Sequence, residues 1–185
     1  MTPTPRRRPR SMLFEPEKRF DAQAAMQWAE IRLTLPPDLE WIERPTPRGD
    51  VVMTFALPLE VCPTTNATRR KPDWWYVEHR RALWNRMFPQ SLPWRRVRGI
   101  PLEGRPQVHC VRFCPNAPDS LSDWGKSAVD RLILPLTIVR KGKLVNCRRL
   151  GLILDDNPEA ADVRQWWEPC SKESSCVYIV VRTGA

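Results

Sequence analysis

Asn116-Ala-Pro-Asp-Ser-Leu-Ser-Asp-Trp-Gly-Lys-Ser-Ala-Val-Asp130, followed after a basic connection by Gly151-Leu-Ile-Leu-Asp-Asp156, is the part of this chain that holds both a fold pattern and a possible chemistry. Trp124, Ala128 and Leu132 fall on one arc of a helix, and Asp123, Lys126 and Asp130 fall on another. The spacing therefore predicts a helix that packs its apolar stripe on a sheet, with Ser120 or Ser122 as its cap. The three charged residues face outward, and an exposed ion-paired face explains them as well as a site does. Asp155 and Asp156 close an apolar segment. Carboxylates at the ends of elements can converge, and with Asp119 they would suit Mg²⁺, a hard cation held by one or two carboxylates plus water and phosphate. Asp-Asp-Asn-Pro is equally an ordinary turn signal.

Working outward, the charge is placed where such a site would use it. The chain has 185 residues and a formal charge of +9. Residues 1–20 hold six basic and two acidic side chains, residues 21–50 three and six, and residues 51–185 twenty-one and thirteen. The basic excess thus accompanies the candidate carboxylates. A cationic surround with acids at its centre fits a polyanionic substrate and disfavours a small neutral one. Four arginines near the N-terminus precede no apolar segment, and no run of about 18 apolar residues occurs. No membrane partner is expected, and a cytoplasmic location with reduced thiols follows. None of the six cysteines forms a C-x-x-C pair, so zinc has little support and buried thiols are expected. Cys110 and Cys114 should share a strand face. His79 and His109 have no ligand at a telling spacing.

The length suits one domain with extensions. Residues 1–20 are expected to be a disordered basic arm, and residues 21–50 a partly helical extension. Phe20, Ala24, Trp28 and Ile31 form the expected helical stripe, which Pro36-Pro37 ends. Strands are predicted for residues 51–59, 108–114 and 177–182, and a shorter one for residues 150–154. A helix is predicted from about Trp74 to Met87. Its arginines, Arg80 among them, interleave with aromatics in a way that suits nucleic-acid contact, or a helix whose tryptophans cover the sheet. Residues 89–105 read as loop, residues 137–149 as a hairpin or flexible loop, and Trp166-Trp-Glu-Pro-Cys170 as a turn.

In this order the motifs resemble those of the RusA-type Holliday-junction resolvases, particularly divergent phage and prophage members. Cys62-Pro-Thr-Thr-Asn66 is similar to their Pro-Pro-Ser-x-Asn, Lys126-Ser-Ala-Val-Asp130 to their Lys-x-x-x-Asp, and Gly151-Leu-Ile-Leu-Asp155-Asp156 to their Gly-hydrophobic-hydrophobic-x-Asp-Asp. The likeness spans roughly residues 51–182. Ala117-Pro-Asp119-Ser-Leu stands for their Asp-Pro-Asp-Asn-Leu, so Ala117 replaces the first acid and Ser120 the asparagine. An ungapped count back from Lys126 instead sets Ser120 and Ser122 at both acids. The segment between Asp130 and Asp155 is longer than in the family.

The resemblance implies an α+β fold, a small mixed sheet with helices packed on it, carried by residues 51–185 behind the N-terminal extension. It also implies a homodimeric, Mg²⁺-dependent endonuclease for branched DNA, its two-fold axis matching a four-way junction. Asp119, Asp155 and Asp156 would hold the metal and Lys126 would stabilise developing charge. Arg69, Arg70, Lys71, Arg80, Arg140, Lys141, Lys143, Arg148 and Arg149 would meet DNA, with Asn66, Asp123 and Asp130 as further candidates. The missing first acid leaves a second expectation, a protein of the same fold that binds branched DNA without cutting it. A basic RNA-binding factor without metal is a third.

Overall fold

Cys176–Arg182 holds three valines and an isoleucine, a composition suited to a strand covered on both faces, and six of its seven residues are buried. A computed structural model of the chain describes residues 20–68, 71–97, 100–118, 123–140, 142–146 and 148–184. Its strands are β1 (Val51–Leu57), β2 (Gln107–Cys114), β3 (Thr137–Arg140), β4 (Lys143–Asn146), β5 (Asp162–Pro169) and β6 (Cys176–Arg182). Its helices are α1 (Ala22–Thr34), α2 (Thr65–Thr68), α3 (Asp73–Val97) and α4 (Lys126–Leu132). The main sheet runs β1-β6-β2-β5. Strand β6 is antiparallel to β1 and β2, whereas β2 and β5 are parallel. The protein is therefore α+β with a mixed sheet, as expected.

Each face of the sheet has its own helical cover. Phe55, Val108, Cys110, Val177 and Ile179 pack with Leu83 and Met87 of α3 and with Ala128, Val129 and Leu132 of α4. Alternate residues Val111, Phe113, Tyr178 and Val180 pack with Ala29 of α1. Burying side chains of this size contributes about 1.5–3 kcal/mol each. The N-terminal extension thus supplies one of the two covering layers. Asp21 caps α1, its Oδ1 accepting from the Gln23 and Ala24 amides at 3.0 and 3.1 Å. The helix is rotated from the expected stripe: Ala25, Met26, Trp28 and Leu33 pack inward, while Ile31 is 64% exposed. Trp28 sets this rotation by meeting Phe113 edge-on, with ring centroids 4.9 Å apart.

Arg44 fastens the chain after α1. Its Nε and Nη2 donate to the two carboxylate oxygens of Glu168 at 2.5 and 2.8 Å, and its Nη1 donates to the Leu33 carbonyl at 3.3 Å and to that of Leu35. Glu168 is fully buried on β5. The Trp166 indole N–H donates to the same carboxylate at 3.1 Å.

Three sequence expectations are corrected. Helix α3 continues through Pro89 and Pro93 to Val97, where a loop was expected from residue 89. An internal proline costs about 3 kcal/mol, and burial of Met87 and Trp94 on the sheet offsets it. Gln90 assists: its side chain donates to the Arg86 carbonyl at 2.9 Å, donates to the Ala56 carbonyl at 3.0 Å and accepts from the Ala56 amide at 2.8 Å. Gln90→Ala is expected to cost about 1–3 kcal/mol in urea unfolding, because these groups lose their partner; a change below about 0.5 kcal/mol would refute that role. Second, Trp166 to Pro169 lie in β5 and are not a turn. Third, residues 150–154 make a single bridge, Ile133 with Ile153, and not a strand. The connection at residues 137–149 does contain a hairpin, β3 with β4, turned through Gly142 at a φ of 71°.

Candidate functional site

Two segments distant in sequence meet at the start of α4. Trp124 is buried and anchors the entry to the helix. Gly125 is the N-cap residue, and Asp123 Oδ1 accepts from the Lys126 amide at 3.1 Å. Asp123 thus serves where a serine cap was expected; Ser120 and Ser122 lie outside the described residues. The second segment is stitched to the end of α4: the Leu150 amide donates to the Arg131 carbonyl at 2.6 Å, that of Gly151 to Ile133 at 3.1 Å and that of Leu152 to Leu132 at 2.7 Å. Gly151 takes a φ of 75°, and a Cβ there would lie 3.2 Å from the Pro135 ring. Glycine permits this close turn, which carries the chain on to the Asp-Asp pair.

Beyond that turn the two aspartates have different partners. Asp155 forms the turn, its Oδ1 accepting from the Asp156 amide at 2.8 Å and its Oδ2 from the Asn157 side chain at 2.9 Å. Asp156 instead forms an ion pair with Lys126. Lys126 also pairs with Asp130 at 3.1 Å, one helical turn on. Asp123, Lys126 and Asp156 line a cleft of about 350 Å³ with Cys110, Gly125, Val129, Val163 and Gln165. Gly125 keeps it open, since a Cβ there would lie 3.1 Å from Gln165 Oε1 and 3.4 Å from Cys110 Sγ. Burial pushes the Cys110 thiol well above its ordinary range, with the neighbouring Cys62 thiol and the Asp123 carboxylate acting in the same direction. A neutral S–H therefore sits on the cleft floor.

The candidate metal set is only partly within the described residues. Asp119 lies outside them, and among the described residues no three His, Cys, Asp or Glu side chains are gathered to hold a metal. The oxygens present, from Asp123 and Asp156, are hard donors that fit Mg²⁺ better than a soft metal.

The expected DNA-contacting residues are spread over several elements. Lys71 is exposed ahead of α3, its Nζ 5.9 Å from the Trp75 ring centroid. Arg80 is exposed and donates to the Tyr76 carbonyl at 3.2 Å. Arg148 is exposed, and Arg149 donates to the Leu134 carbonyl at 3.4 Å. Arg140 and Lys143 pair across the hairpin, and Asn66 lies in α2. Arg69, Arg70 and Lys141 lie outside the described residues.

Both histidines serve the core. His79 stacks on Trp75 with centroids 4.8 Å apart and bonds the Val61 carbonyl at 2.9 Å; burial lowers its pKa. His109 meets Trp166 edge-on. Cys62 and Cys176 are pushed up to about 12, chiefly by burial, as buried thiols should be.

Sequence reading missed Arg112, a buried arginine beside this cleft. Its signal was one charge within the otherwise apolar or weakly polar run Val108-His-Cys-Val-Arg-Phe-Cys114. Among the described residues no helix is long and apolar enough to cross a membrane. Compared with family models, curated proteins and solved structures, the chain matches none.

Proposed function

We propose that this chain is a RusA-like, Mg²⁺-dependent endonuclease acting on branched DNA as a homodimer. One observation carries the reading: Lys126 and Asp156 meet at a cleft in a strongly basic chain, although Asp156 comes from a segment well beyond α4, and Asp130 pairs with the same lysine one helical turn on. A lysine held between two carboxylates is aimed by them, and its three donors suit the oxygens of a phosphodiester. Asp156 and Asp119 would hold Mg²⁺, with Asp155 shaping the turn behind them. When bound, the ion supplies Lewis-acid polarisation of the phosphodiester and a more acidic water. Asp130 keeps Lys126 oriented, and Gly125 leaves room for the strand. The basic residues of α3 and the hairpin region would meet backbone phosphates, so affinity should fall steeply with salt.

A second reading has its own support. Ala117 stands where the resembled family has its first acid, and Lys126 already neutralises Asp156; both weaken the claim of a metal. That version binds junctions and does not cut them. A labelled four-way junction incubated with the purified chain, with Mg²⁺ or with chelator, separates the readings. Cleavage only with Mg²⁺ supports the nuclease, and binding without cleavage at any Mg²⁺ concentration supports the binder. Neither binding nor cleavage would remove both.

A further inference from the structure

Beside the carboxylate cleft lies a second one, of about 380 Å³, lined by Thr64, Arg112, Cys114 and residues 115–118. Arg112 is only 8% exposed. Its Nη1 donates to the Cys62 carbonyl at 2.6 Å, and its guanidinium carbon lies 5.9 Å from the Trp124 ring centroid. Cys114, its neighbour on the same strand face, shares a hydrogen bond with it. Among the described residues it forms no salt bridge. A desolvated cation is costly unless a counter-charge accompanies it, and a carbonyl, a thiol and an aromatic face offset only part of that cost.

The lining of the cleft favours an anion from outside. Among the described residues no carboxylate lines it, while Thr64 and Asn116 bring a hydroxyl and an amide to the guanidinium. A guanidinium fork with neutral donors matches phosphate oxygens. The two clefts adjoin. Cys110 on the floor of the first and Arg112 in the second are alternate residues of β2, about 6.6 Å apart along one face. Trp124 packs against Arg112 between Asp123 and Gly125, which line the first cleft.

We propose that the Arg112 cleft is a phosphate-binding site that takes a nucleic-acid backbone phosphate next to the one offered to Lys126. The nucleic-acid part rests on the function proposed above, and the phosphate part does not.

Two measurements on the full chain test it. In thermal unfolding, inorganic phosphate should raise the midpoint of the wild type by about 2–4 °C beyond sodium chloride of equal ionic strength. Arg112→Gln removes the positive charge and shortens the side chain, and should lose that increment. Thr64→Val and Asn116→Ala, which leave the arginine in place, should each reduce it and keep the test open if the arginine variant fails to fold. No increment in the wild type, or an unchanged increment in all three variants, overturns the site. In junction-DNA binding across a salt series, the slope of log K against log salt should fall by about one for Arg112→Gln. A lost phosphate increment with an unchanged slope would establish a free-phosphate site and overturn the nucleic-acid assignment. A wild type that binds no DNA would remove the proposed function while the phosphate measurement still reads the cleft.

Discussion

Arg44→Met is expected to lower the unfolding free energy by about 3–5 kcal/mol, because it leaves the Glu168 carboxylate buried without its counter-charge. Glu168 has no exposed surface, whereas the Arg44 side chain retains 16% exposure. Removing the acid should therefore cost less, on the order of 1–3 kcal/mol for Glu168→Leu, since Arg44 keeps the Leu33 and Leu35 carbonyls and some water. The double variant should lie above the sum of the two losses and recover part of the stability, since a buried pair replaced by apolar groups is often neutral. It should not recover all of it, because the carbonyls ending α1 lose their donor. Denaturant titration of all four proteins measures the cycle. A loss below about 1 kcal/mol in Arg44→Met would mean that the Arg44–Glu168 pair does not hold the extension to the sheet.

Under the proposed function, Lys126→Met and Asp156→Asn are each expected to reduce junction cleavage by about a hundredfold or more, the scale of losing one charge-stabilising group or one carboxylate that would hold the metal. Stability should scarcely follow. Lys126, Asp130 and Asp156 keep 49%, 35% and 20% side-chain exposure, and ion pairs this open contribute about 0–1 kcal/mol. Thermal midpoints near the wild-type value would therefore exclude unfolding as the cause. Junction affinity in Asp156→Asn should stay level or rise under the proposed function, since a negative charge has left the cleft that would face phosphate. Single-turnover cleavage with a parallel binding assay reads both. Wild-type cleavage by both variants would place the chemistry elsewhere on the molecule.

The legible parts of the fold were those where local pattern and tertiary role agree. Strands β1, β2 and β6 are apolar or β-branched because they are buried, and the sequence shows that directly. The polar–apolar alternation around Lys126 likewise predicted which face of α4 is exposed. Failures came where a distant partner overrides a local signal. Pro89 and Pro93 signal a helix end, but the sheet surface and Gln90 hold the helix together. Strand β5 carries Arg164, Gln165 and Glu168 and so reads as polar; pairing with β2 and a guanidinium from more than a hundred residues away make it a strand. At the site, Lys126 and Asp156 were legible as candidates. The division of labour between Asp155 and Asp156 was not, because it depends on how Gly151 turns the chain.

The position of the Gln90 amide bears on how copies of this chain could associate. Strand margins with free amides and carbonyls invite another chain to add to the sheet. At Ala56 that invitation is withdrawn, since both backbone groups are already bonded to a side chain of the same molecule. Intermolecular sheet extension, whether orderly or as aggregation, is thereby blocked at this point of β1.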